Sequence, residues 1–256
     1  MAVSKKITGK KASRLDLLRE LESVADERKA RNVAWFFKTG PGEYGEGDLF
    51  LGITVLIARK IALRHTHLPL PELAKVLASP IHEHRFAAFE ILVAQYERSD
   101  EQRRQEIFDF YLQNTHRANN WDLVDTSCRY IVGRHLITRP RCLLDELASS
   151  SMLWERRIAI VSTFAFLANG ETKDTFRIAR KLLGDKEPLI HKAVGWLLRE
   201  AGKVSRPELE RFLEKYAAKM PRTTLRYAIE RFSPEERKCW LRTGPTQSFG
   251  RSSKDY

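Results

Sequence analysis

Trp121 and Asp125 stand four residues apart in the run Asn120-Trp121-Asp122-Leu123-Val124-Asp125. On an α-helix, positions i and i+4 share one face, so this spacing sets a flat aromatic surface beside a carboxylate. Such a pair suits a reaction in which positive charge develops on a sugar-like group, because the anion and the ring face both attract a cation. The same residues also admit a plainer reading. Asn119 or Asn120 could cap a helix, Asp122 and Asp125 would then favour its positive end, and Trp121 would fill the core.

The elements that would position this pair are helical. Leu17, Leu18, Leu21 and Val24 recur at helical spacing, as do Phe86, Phe89, Ile91, Leu92, Val93 and Tyr96, and later Val194, Leu197 and Leu198. No run shows strict alternation of apolar and polar residues. Prolines at 71, 80, 140, 188, 207, 221 and 234 mark helix starts. Ser79-Pro80 and Ser233-Pro234 read as cap and first turn, and Ser233 with Glu236 fits a capping box. The pattern predicts roughly a dozen helices joined by short loops.

Three stretches repeat the same plan. Leu73 to Ser79 leads through a turn to Arg85-Phe86-Ala87-Ala88. Leu144 to Ser149 leads to Arg157-Ile158-Ala159-Ile160, and Ala179 to Asp185 leads to Lys192-Ala193-Val194-Gly195. Arg157 to Lys192 spans 35 residues, and Arg85 to Arg157 spans 72, two such units, with Asp125 in the unit between. Each unit is a helix, a turn and a second helix that opens on a basic residue. Stacked helix pairs of this period form a solenoid whose concave face is lined by the second helices. Arg85, Arg157 and Lys192 would make a basic stripe there, interrupted by Asp125. Taken singly, each could equally be a solvated helix-face charge. One loop differs from the rest: Lys38-Thr39-Gly40-Pro41-Gly42-Glu43-Tyr44-Gly45-Glu46-Gly47-Asp48 carries four glycines and one aromatic. It lacks the Gly-Lys-Ser/Thr of a phosphate-binding Walker loop. It is either a place where backbone approaches a ligand closely or a long interhelical connection.

At 256 residues and 43% hydrophobic, the chain can bury a sizeable core as one domain over 13–243. The segments 1–12 and 244–256 read as disordered ends. Forty-five Lys and Arg against 33 Asp and Glu leave a net charge of +12, which suits a polyanionic partner, nucleic acid first. No apolar run approaches the ~20 residues that span a bilayer, and no apolar signal region follows the basic start. The expectation is a monomer in the cytoplasm, associated with the nucleoid in a bacterium. Cys128, Cys142 and Cys239 are odd in number and without a CxxC pair. They read as small, mostly buried residues in a reducing compartment, neither bridged nor metal-bound. His65-Thr66-His67 and His82-Glu83-His84 could offer metal ligands, but alternate residues on a helix diverge and no HExxH partner appears. No metal and no cofactor are expected, since no GxGxxG follows a strand either.

Three separated motifs resemble one family, the AlkD-type alkylpurine DNA glycosylases built of HEAT-like repeats. They are Phe37 to Asp48 with Phe50-Leu51-Gly52; Trp121 to Asp125; and Trp154-Glu155-Arg156-Arg157-Ile158-Ala159-Ile160 paired with Lys192 to Arg199. The resemblance implies an all-α superhelix, a HEAT-like helical-repeat solenoid with a concave, basic, DNA-binding face. It implies that Asp125 is catalytic and that Trp121 and Trp196 wall the sugar. Arg157 would contact the DNA backbone, with Arg156 as the other register, and Tyr44 is the candidate for an aromatic contact to the lesion strand. Lys38, Lys192 and Arg85 join them as DNA-binding candidates. The implied activity is hydrolysis of the N-glycosidic bond of cationic alkylated purines, such as 7-methylguanine and 3-methyladenine, in duplex DNA, without flipping the base into a pocket. The competing expectation is a non-catalytic HEAT-like scaffold that binds nucleic acid or protein on the same face.

Overall fold

A computed structural model describes residues 13–243; the expected ends, 1–12 and 244–256, lie outside the described residues. The fold is all-α and of the helical-repeat class. Among the described residues there are fifteen α-helices and no strand, only an isolated bridge between Leu49 and Ile81. By internal contacts the chain divides into two compact units, Met1–Ser127 and Cys128–Tyr256.

The first unit holds α1 (Arg14–Glu22), α2 (Glu27–Phe36), α3 (Val55–Arg64), α4 (Leu70–Leu77), α5 (His82–Arg98), α6 (Glu101–Gln113) and α7 (Trp121–Cys128), whose last residue crosses the division. Helix α5 is its spine: Phe86, Phe89, Ile91, Leu92, Val93 and Tyr96 are all buried, and α3, α4 and α6 pack against it. Leu17 and Leu21 are buried in α1, whereas Val24 lies beyond the end of that helix and is exposed. The glycine-rich segment between α2 and α3 is tied down from beneath. The Glu83 carboxylate accepts the backbone N–H groups of Leu51, Gly52 and Ile53 at 3.0, 2.8 and 3.2 Å. Gly52 has φ +77°, and a Cβ there would lie 2.3 Å from the Asp26 carbonyl oxygen, so only glycine fits.

The second unit opens on a π-helical turn, Arg129–Gly133. It continues through α8 (Leu143–Ala148), α9 (Leu153–Ser162), α10 (Phe164–Leu167), α11 (Lys173–Lys181), α12 (Pro188–Val204), α13 (Arg206–Tyr216), α14 (Arg222–Ala228) and α15 (Pro234–Thr243). Helix α8 packs on α9, α11 on α12, and the second helices α9, α12 and α14 pack in succession. Gly195 permits a close approach of α12 to α14: a Cβ there would meet the Thr224 carbonyl oxygen at 2.6 Å. Val194, Leu197 and Leu198 are buried beside it.

The repeat is real, and its register is visible in hydrogen bonds. Before α5 the Ser79 hydroxyl accepts the Ile81 N–H at 3.1 Å. Before α9 the Ser150 hydroxyl accepts the Met152 N–H at 3.0 Å, and before α12 the Asp185 carboxylate accepts the Glu187 N–H at 2.9 Å. In each case a side chain one turn into the helix reaches back six residues. Arg85 donates to the Ser79 carbonyl at 2.8 Å, Arg156 to that of Ser150 at 3.1 Å, and His191 to that of Asp185 at 2.6 Å. Arg85 is thus equivalent to Arg156. The expected alignment of Arg85 with Arg157 is one residue out of step, because Ser79 to Ser150 spans 71 residues. Arg157 does align with Lys192, 35 residues on.

Local signals fared unevenly. Pro71, Pro188, Pro207 and Pro234 sit in first turns, but Pro80 and Pro140 precede their helices by two or three residues. Both hydrogen bonds of the Ser233/Glu236 capping box are formed, at 2.8 and 3.2 Å. Cys128 is buried as expected; Cys142 and Cys239 are exposed, which corrects the expectation of mostly buried cysteines. No helix among the described residues is long and apolar enough to cross a membrane.

Candidate functional site

Helix α7 starts where the buried Asn120 side-chain oxygen accepts the Trp121 N–H at 2.8 Å. Its apolar stripe is Leu123, Val124, Ser127 and Cys128, all buried. The Ser127 hydroxyl is satisfied there by donating to the Leu123 carbonyl at 2.6 Å and by pairing with the Tyr111 hydroxyl at 3.0 Å. With that stripe inward, Trp121, Asp122, Asp125 and Thr126 fall on the other side, and all four are half-buried. Trp121 and Asp125 therefore share the accessible face, and Trp121 is not a core residue. One side of the indole is backed by aromatic rings: Phe37 stacks on it at 5.4 Å and Phe36 meets it edge-on at 6.2 Å.

Behind this face lies an ionic cluster that connects α7 to the glycine-rich loop. His82, buried at the start of α5, bonds Asp122 through Nε2 at 2.8 Å and Asp48 through Nδ1 at 3.4 Å. Phe50 stacks on the imidazole at 4.8 Å, and Phe37 lies 5.0 Å away. Asp48 also accepts from the Asn119 amide at 3.0 Å and pairs with Arg85 Nη2 at 2.7 Å. Burial alone disfavours an imidazolium, but the bonds to Asp122 and Asp48 outweigh it and raise the His82 pKa to about 9. Burial likewise works against the Asp48 carboxylate, yet His82 and Arg85 hold its pKa below the ordinary value. Burial lowers the Arg85 pKa, with Asp48 opposing that shift.

A pH dependence follows. The folded pKa of His82 exceeds its ordinary 6.5, so this clamp contributes its full stability below pH 6.5 and loses it as the pH rises through about 9. The shift corresponds to about 3 kcal/mol at most. Thermal melts between pH 6 and pH 10 should show the midpoint falling across that window, and His82→Gln should abolish most of the fall. A midpoint equally flat in both proteins would show that the imidazolium is not formed.

In the second unit, Lys192 and Trp196 are also four residues apart on α12. Lys192 is exposed, and Trp196 is half-buried with its ring 5.8 Å from Phe164. The Arg129 guanidinium lies over Phe164 at 5.0 Å and over Tyr130 at 4.4 Å. Arg157 is 5% exposed and donates to the Leu189 carbonyl at 2.7 Å, joining α9 to the first turn of α12. Arg156 pairs with Asp185 at 2.6 Å and donates to the Ser150 and Ser151 carbonyls.

The sequence-derived residues are thus placed in different ways. Trp121 and Asp125 come together on α7, and Lys192 and Trp196 on α12. Lys38 is exposed at the end of α2, and Tyr44 is half-buried in the loop. Arg85 is not part of an exposed stripe: it is 4% exposed, and its charge is directed to Asp48. No role was legible in the sequence for His82, or for Asp48, Phe37 and Phe50 beyond their place in the first motif; they support α7 from behind. In the sequence His82-Glu83-His84 reads only as a metal pattern. In the fold its three side chains part company, to Asp122 with Asp48, to the loop backbone, and to Ser79. Among the described residues no group of His, Cys, Asp or Glu could hold a metal.

Two comparisons bear on this arrangement. The family of DNA alkylation repair enzymes matches the chain over residues 17–232. The chain belongs to that family. Its fold is similar to a solved protein from Enterococcus faecalis described as a predicted DNA alkylation repair enzyme. That likeness has a TM-score of 0.64 and 14% identity, over 82% of this chain and 97% of the other. No curated protein sequence matches the chain.

Proposed function

We propose that the protein is a DNA glycosylase that hydrolyses the N-glycosidic bond of cationic alkylated purines, such as 7-methylguanine and 3-methyladenine, in duplex DNA. The observation that carries this reading is the accessible face of α7, where Trp121 and Asp125 stand together in a member of the DNA alkylation repair family. An alkylated purine already bears positive charge and leaves without a general acid. The difficulty that remains is the oxocarbenium-like sugar. Asp125 would stabilise that cation and orient the attacking water. At about 4 Å and an effective dielectric near 20, one such pair contributes ~4 kcal/mol. Trp121 would lay its ring against the deoxyribose, with Trp196 as the second wall. Lys192, Lys38 and Tyr44 are the proposed contacts to the DNA strand, while Arg157, buried and bonded to the Leu189 carbonyl, and Arg156, paired with Asp185, would hold the start of the helix that carries Lys192. Arg85 would support them indirectly, by holding Asp48.

The direct test is to incubate the protein with methylated duplex DNA and identify the bases released. Free 7-methylguanine or 3-methyladenine is the expected product; retention of all methylated bases would defeat the reading. The net charge of +12 adds an expectation about binding. Affinity for duplex DNA should fall steeply with salt, with a log–log slope of about −0.9 for each phosphate engaged. Titrations from low to moderate salt measure the slope, and a flat response would remove phosphate contacts from the proposal.

A further inference from the structure

Helix α2 departs from the other helices of the first unit: it has no buried residue. Near its end Trp35 is 83% exposed and Phe36 57% exposed. Phe36 and Val55, which is 49% exposed, line one pocket, and next to Val55 in the first turn of α3 Leu56 and Ile57 are 69% and 43% exposed. A tryptophan side chain can bury roughly 150–250 Å², so leaving one in solvent forgoes a large hydrophobic gain. Single exposed apolar residues are ordinary; a run that includes an indole marks a surface that meets something.

What it meets is indicated by the charges around it. Arg31 and Trp35 are four residues apart on α2, so their side chains are neighbours on one face. Lys38 follows the helix with φ 53°, a left-handed turn closed by the Gly45 N–H donating to the Lys38 carbonyl at 3.0 Å. These three residues, with Phe36, Gly40 and Glu43, line an open groove of about 660 Å³. The one carboxylate in it, Glu43, is turned onto the loop and accepts the Gly40 N–H at 3.0 Å. Arg31 and Lys38 have no ion-pair partner among the described residues. An exposed indole between two uncompensated cations is the arrangement by which proteins hold single-stranded nucleic acid: the ring stacks on a base and the cations take the flanking phosphates. A protein-docking patch would instead set its charges at a rim around an apolar centre.

We propose that Arg31, Trp35 and Lys38 form a platform for an unstacked nucleotide of a DNA strand, its base against the Trp35 indole and its phosphates on the two cations. The platform needs DNA as the partner but does not depend on the excision chemistry proposed above. Because stacking is indifferent to base identity, it takes any base free of its own stack.

The probe is a short single-stranded oligodeoxynucleotide, its dissociation constant followed by fluorescence anisotropy in low salt. Trp35→Ala should weaken binding by roughly fivefold to a hundredfold, and Trp35→Phe should restore most of it. Arg31→Ala with Lys38→Ala should flatten the salt dependence by about 0.7 for each phosphate released. Since Arg31, Trp35 and Lys38 are all exposed, melting temperatures of all these variants should match the parent's. Trp35→Ala binding within twofold of the parent would overturn the proposal. So would a dimer that Trp35→Ala dissociates without loss of DNA affinity, which would give this face to a second copy of the chain. Loss of oligonucleotide binding in Trp35→Ala, in a protein that releases no methylated base, would retire the glycosylase and keep the platform. Excision together with unchanged oligonucleotide binding in that variant would do the reverse.

Discussion

Replacing Asp125 with asparagine should slow single-turnover release of 7-methylguanine by roughly a hundredfold to a thousandfold, as the ~4 kcal/mol attributed to its charge requires. The substitution keeps the shape and removes the anion. Residue 125 sits on the half-buried face of α7, and the helix is fixed by other groups: Asn120 at its start, the stripe from Leu123 to Cys128 beneath, and the His82–Asp122 pair beside it. A thermal melt alongside the kinetics separates any change in folding from the change in rate. Binding to undamaged duplex should hold or improve, because an anion facing phosphate is lost. Unchanged excision in Asp125→Asn would make the residue a helix-face charge and return α7 to the plainer reading of its sequence.

Substrate range should be divided by charge. Protonating a departing neutral base needs an acid near Asp125, and Asp122, the nearest in sequence, is bonded through its carboxylate to the His82 imidazole at 2.8 Å. Lesions that carry their own positive charge should be released, while uracil and hypoxanthine should stay in place. Bulkier cationic adducts on the same nitrogens should also be accepted, since the proposed chemistry acts on the sugar and need not enclose the base. Duplexes that each carry one defined lesion, compared under identical conditions, measure this. Efficient release of uracil or hypoxanthine would require leaving-group activation and would end the mechanism as written.

Much of this was legible from residue patterns, for identifiable reasons. The 3.6-residue periodicity of α12 is clear because one face of it is buried, α5 reads as helix from a long apolar run because it is enclosed on nearly all sides, and the i, i+4 spacing of Trp121 and Asp125 survives intact in α7. Two things were hidden. One was the repeat register: several basic residues cluster near each second-helix start, and only the backward bonds of Arg85, Arg156 and His191 show which are equivalent. The other was the clamp beneath α7. Asp48, His82 and Asp122 are separated by 34 and 40 residues, and nothing local in the chain announces that they meet. Arg85 shows the same limit. A basic residue opening a helix reads as a surface charge until its partner across the fold, Asp48, is seen.

The most direct measurement is a single-turnover time course on a duplex containing one 7-methylguanine. Free base is identified by mass spectrometry, and the abasic site by alkaline strand cleavage. The expected result is release of the base with an equal yield of abasic sites, in the presence of chelator and without added cofactor. Tight binding of the same duplex with the base still attached after prolonged incubation would contradict it and leave a DNA-binding helical scaffold in its place.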